Sequence, residues 1–132
     1  MDQNERIEQF RKMAQANPDD DLAHFALGQA LSDAGRFAEA VPVLRHVVKL
    51  NDTYSRAYLL LGEALERTTD DEGAVEAWQD GYSAALRRGD LMVANEMKAK
   101  LLQREAEVPE DPTLAGGGEV EVEDREPEEG EV

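Results

Sequence analysis

Few side chains in this sequence could do chemistry, and their spacing limits what that chemistry would be. Glu63 and Glu66 stand three residues apart, so on a helix both carboxylates share one face. Paired carboxylates can shuttle protons, but that work needs an enclosing pocket, and an open helix face offers none. Recognition of a basic peptide suits such a pair better, with a solvated face as the plainer reading. His24 and His46 are the only histidines and there is no cysteine. That composition excludes disulfides, thiol catalysis, cysteine metal sites and a histidine-rich metal cluster. His24 is expected on a packed face and His46 on an outer, solvated one. Asp19-Asp20-Asp21 lacks the alternating spacing, the glycine and the distal glutamate of a calcium loop. Carboxylates there suit the free N–H groups at a helix start. Trp78 and Tyr82, four apart, read as one packed helix face rather than a stacking site for a base or cofactor. No residue is assigned to catalysis, to a cofactor or to a metal.

The elements that must position these groups follow from a repeat. Leu27-Gly28-x-Ala30-Leu31 returns 34 residues later as Leu61-Gly62-x-Ala64-Leu65, and the same offset carries His24 onto Tyr58, Ala40 onto Ala74, Val41 onto Val75 and Leu44 onto Trp78. A fixed period of this length, with a bulky residue, Leu-Gly, and later a small and a large residue, marks stacked helix-turn-helix units. Glycine within a helix sacrifices roughly 1 kcal/mol of propensity, which is justified where a second helix must approach closely.

Taken in order, Ile7, Phe10, Met13 and Ala14 predict an amphipathic helix over 3–16, ended at Asn17-Pro18. By register it is the second half of a repeat. A helix from Asp21 to about Ala34 stops at Gly35, whose backbone can turn left-handed. Its partner runs from about Phe37 to Leu50, with Pro42 removing one backbone hydrogen bond and bending it slightly. The next pair spans about Thr53 to Arg67, capped by Asp52 or Thr53, and about Asp71 to Arg87. A last helix over about 90–105, capped by Asp90, holds the register of a third repeat's first half. Asn95-Glu96 stands there where Leu-Gly would be, so it reads as a terminal cap of the kind stacked repeats need.

Charge divides the chain again. Its formal net charge is −16, and from Val108 onward ten acids face Arg125 alone, a net of 10 − 1 = 9 negative charges. Residues 1–107 form the expected helical domain, and 108–132, rich in like charge and poor in apolar groups, form an acidic tail expected to be disordered. A body that is itself acidic repels phosphates, which argues against nucleic acid or an anionic membrane as partner. No apolar run nears the roughly 18 residues of a membrane span. The opening Met1-Asp2-Gln3-Asn4-Glu5 lacks the basic and apolar parts of a signal peptide, so a cytoplasmic location is expected.

The quoted residues resemble the tetratricopeptide repeat family over about 21–88, with half-repeats on either side. His24 and Tyr58 replace its usual Trp, Leu31 and Leu65 its Tyr, and Leu44 and Trp78 fill its Phe position. The closing Pro is present only as Pro18. The resemblance implies an all-α, right-handed helical stack and a non-enzymatic scaffold that holds a protein or peptide segment in a concave groove. By register that groove would present Phe25, Gln29 and Ser32, then Leu59, Glu63 and Glu66, then Val93 and Met97. The family's basic and amide clamp for a C-terminal carboxylate is not matched, because its positions hold Phe25, Gln29, Leu60, Asp90 and Ala94. Two alternatives stand beside this one. The end helices could join copies of the chain or a larger complex, making a homo-oligomer. The chain could also be an accessory to an iron-handling or other enzyme. A looser similarity over Ile7–Leu102, carried by Phe10-x-x-Met13 and Gly89-Asp90-Leu91-Met92, links it to helical segments that some bacteria place beside a small iron-trafficking-type domain.

Overall fold

In the computed structural model, residues 1–113 are described, and within them the chain forms six helices and no strand. They are α1 (Gln3–Ala16), α2 (Asp21–Asp33), α3 (Phe37–Leu50), α4 (Ser55–Arg67), α5 (Asp71–Arg88) and α6 (Leu91–Gln103). Most of the expected acidic tail, residues 114–132, lies outside the described residues.

Three of the six described helices are capped at the start by a short acidic side chain. Asp2 and Glu5 form a reciprocal capping box on α1, at 2.8 and 3.0 Å. Asp20 accepts from the Leu22 and Ala23 N–H groups at 3.0 and 3.4 Å, and Asp70 from that of Gly73 at 2.9 Å. Two expected caps are not made. The Asn51 carboxamide oxygen takes the Thr53 N–H and hydroxyl, at 3.1 and 2.9 Å, so α4 starts two residues later than expected, after an uncapped Tyr54. Asp90 makes no cap bond on α6 and instead accepts the Ser55 hydroxyl at 2.5 Å, tying the first turn of α4 to the start of α6. Helix α3 continues through Pro42.

The ends of α2 and α4 share one device. Gly35 (φ +76°) turns left-handed after α2, and the Arg36 N–H reaches back to the Leu31 carbonyl at 2.8 Å. The equivalent position 34 residues on is Thr69, held at φ +66°, with Asp70 bonded to Leu65 at 2.8 Å. A β-branched residue is strained in this region, and only the repeat geometry explains its presence.

Each helix packs on the next, and α4 also touches α2 and α6 across one side. Ile7, Leu31, Leu44, Val47, Trp78, Met97 and Leu101 are completely buried between them. The glycine of each repeat lies under the large residue of the paired helix. A Cβ on Gly28 would meet the Leu44 side chain at 2.6 Å, and one on Gly62 would lie within 2.6 Å of three indole atoms of Trp78. Gly81 does the same work in α5, where a Cβ would strike Tyr58 and the Met97 sulfur. After α6 the chain turns at Glu105 and runs back along α5, where Gln79 donates to the Glu107 carbonyl at 2.9 Å and Val108 packs on the core.

Candidate functional site

The first helix of each repeat, α2 and α4, together with α6 lines the inner side of the stack. On α2, Phe25 is half-buried and stacks on Tyr54, with centroids 4.7 Å apart and planes at 25°. Burial first, and nearby Asp21 second, push the Tyr54 phenol up from its ordinary value. Gln29 and Ser32 are half-buried one and two turns further along, and the Ser32 hydroxyl is buried with no hydrogen bond to a described residue.

On α4 and α6 the expected groove divides. Leu59 and Met97 are 2% and 0% exposed, inside the core, so they supply packing rather than contact surface. The Trp78 indole N–H donates to the Leu59 carbonyl at 3.2 Å, and Met97 is trapped under Gly81. Repeat register names the face on which a residue lies, but here Leu59 and Met97 lie within the core packed between α4, α5 and α6. Glu63, Glu66 and Val93 remain half-buried at the surface.

The two carboxylates are not free, however. Lys100 lies 3.4 Å from Glu63, and Arg104 pairs with Glu66. Both cations also sit over the Trp78 ring, 5.4 and 4.6 Å from its centroid. The face is therefore acid–base paired rather than acidic. The acids are legible in the sequence and the bases less so, although Lys100 on the last turn of α6 and its C-cap Arg104 are four apart, a spacing that faces one way. These side chains are 25–37% exposed, so each pair is worth roughly 0–1 kcal/mol and can be exchanged for another partner.

One histidine also differs from expectation. His46 is half-buried rather than solvated: its ring meets that of His24 edge-on at 4.5 Å, and both Nε2 atoms lie 3.1 Å from the Pro18 carbonyl oxygen. The loop after α1 covers this outer position, which a reading of the period alone does not show. No group of three or more His, Cys, Asp or Glu among the described residues is placed to hold a metal ion. No helix among the described residues is long and apolar enough to cross a membrane.

On the outer side a cleft of about 530 Å³ opens between α3, α4 and α5. Arg45 and Lys49 stand on its α3 wall, Glu76 and Asp80 on its α5 wall, and Tyr58, Leu61 and Leu65 on its floor. Desolvation against this wall, then the Glu76 carboxylate one turn away, raise the Asp80 carboxyl above its ordinary value.

Comparison with known proteins agrees with this geometry. A model of the tetratricopeptide repeat family matches residues 5–50 and again 25–85. The chain belongs to the tetratricopeptide repeat family. It is 35% identical over 91 residues to TPR repeat-containing protein PA0015 of Pseudomonas aeruginosa, covering 69% of this chain and 87% of that protein. It also resembles the solution structure of protein BPP2914 from Bordetella parapertussis, with a TM-score of 0.63 and 34% identity over 74% of this chain and 84% of that one. The tetratricopeptide fold is that of a protein-interaction scaffold, and proteins of this family are generally non-catalytic.

Proposed function

We propose that this tetratricopeptide repeat protein is a non-enzymatic scaffold that holds a basic, partly apolar protein segment against the inner face of α2 and α4. The observation behind this reading is the pairing of Glu63 and Glu66 with Lys100 and Arg104, which shows that this face accommodates cations. A partner's Lys or Arg would replace them at little net cost, because one surface pair is exchanged for another. Phe25, stacked on Tyr54, offers a rigid aromatic contact beside them, and Gln29, Ser32 and Val93 complete the face. Aromatic anchors of this kind carry a large share of binding energy where they are desolvated.

The test is a screen of fluorescent basic amphipathic peptides against the full chain. Peptides selected this way should lose affinity about tenfold or more with Phe25→Ala, roughly the 1.4 kcal/mol of a modest anchor. Glu63→Lys combined with Glu66→Lys should abolish binding, while Arg45→Glu on the outer cleft leaves it unchanged. Binders indifferent to the inner-face changes, or a screen that yields no binder, would overturn the proposal.

A further inference from the structure

The two ends of the stack carry faces that the interior buries. On α6, Met92, Glu96 and Ala99 occupy the positions of Tyr58, Gly62 and Leu65 one repeat earlier, where α5 packs. Gly62 and Leu65 are buried, whereas Glu96 and Ala99 are exposed and Met92 is 83% exposed. On α1, Arg6, Phe10 and Met13 occupy the positions of Ala40, Leu44 and Val47, which are 0% exposed in α3. Here Arg6 is exposed, Phe10 is half-buried and Met13 is 46% exposed. Helix α6 holds the register of a repeat's first half and α1 that of a second half, and among the described residues neither has a complementary helix packed on it.

We propose that α6 of one copy docks on α1 of a second copy, completing a repeat across the junction. Pairings inside the molecule fix the register. Gly28 lies under Leu44 and Gly62 under Trp78, while the His24 ring meets His46. Moved to the ends by the same offset, these place Glu96 beside Phe10, with Arg6 one turn away, and Met92 beside Lys12 and Met13.

The substitutions at the ends compensate one another. Inside the molecule the large Leu31 and Leu65 of first helices and the small Ala40 and Ala74 of second helices are all buried in the core, and at the ends the same positions hold the small Ala99 and the large Arg6. The room that Ala99 leaves admits the Arg6 side chain, which reaches Glu96. No ion pair within 4 Å is made by Arg6, Lys12 or Glu96 among the described residues. The junction thus joins unpaired cations on α1 to an unpaired anion on α6 across an apolar Met13–Met92 contact. Because the two surfaces differ, the contact is head-to-tail and propagates as a chain of copies or closes as a ring. It involves outer and end surfaces, leaves the inner face of α2 and α4 free, and stands or falls independently of peptide binding there.

Sedimentation velocity of the full chain, from low to near-millimolar concentration, tests this. The mean mass should rise with concentration and fall with added salt. Arg6→Glu and Glu96→Arg should each weaken association about tenfold or more, since like charges then face each other. Mixing those two variants, or combining them in one chain, should restore it. Both sites are exposed, so an unchanged circular dichroism spectrum confirms that the variants fold. The chain has no cysteine, which permits a second measurement: Met13→Cys and Met92→Cys chains should cross-link with each other and not with themselves. A monomer at every concentration, an association indifferent to both charge reversals, or Met92→Cys chains linked to one another would each overturn the proposal.

Discussion

Replacing Gly62 by alanine probes the closest helix approach in the stack. An alanine Cβ at this position would lie within 2.6 Å of three atoms of the Trp78 indole, a ring that is 0% exposed and cannot swing into solvent. The indole also donates to the Leu59 carbonyl at 3.2 Å, so displacing it endangers a buried hydrogen bond. Overpacking of this kind costs about 1–3 kcal/mol, and a buried donor left unpaired about 1–3 kcal/mol more. Against this, alanine in a helix interior gains roughly 1 kcal/mol over glycine. The expected net loss is about 2 kcal/mol, or roughly ten degrees of melting midpoint for a domain of this size. Gly28→Ala should do less, because the Leu44 Cδ2 and Cγ it meets, at 2.6 and 2.9 Å, belong to an aliphatic side chain more flexible than the indole and with no hydrogen bond to lose. Urea unfolding followed by circular dichroism and by the fluorescence of the single tryptophan gives both values. In a Trp78→Leu background the Gly62→Ala penalty should shrink by about 1 kcal/mol or more, since the two sites are in contact. If Gly62→Ala matched or exceeded the parent in stability, the close approach and the reasoning built on it would be wrong.

Other consequences can be measured in the same way. Thr69→Gly should stabilise the chain by roughly 0.5–1 kcal/mol, as relief of a left-handed β-branched residue, seen as a higher urea midpoint at unchanged slope. Asp80→Asn should raise stability near neutral pH. The folded carboxyl titrates above its ordinary value, so the parent loses stability as pH rises through that range, and the gain should vanish in acid, where both side chains are neutral. Glu66→Gln should cost no more than about 1 kcal/mol, and less in high salt, because its pair with Arg104 is partly exposed.

Much of the architecture was legible because stacked repeats make local sequence and tertiary contact say the same thing twice. The 34-residue offset located both helix pairs, and the glycines at 28 and 62 announced where helices must touch. What escaped that reading depends on neighbours outside the period. Asn51 diverts the cap of α4, the loop at Pro18 covers His46, and α6 supplies the cations that face Glu63 and Glu66. Register puts Leu59 and Met97 on the groove side, but both lie inside the core, Met97 beneath Gly81 of α5. Thr69 could have been found from the sequence, since Gly35 marks the left-handed turn one repeat earlier.

Where a ligand sits is reported most directly by amide chemical shifts of the isotope-labelled full chain titrated with a selected basic peptide. Changes centred on Phe25, Gln29, Ser32, Glu63, Glu66 and Val93, with loss of the Lys100 and Arg104 contacts, are the predicted result. Changes centred instead on Pro42, Arg45, Lys49, Glu76 and Asp80 would place binding in the outer cleft and contradict it.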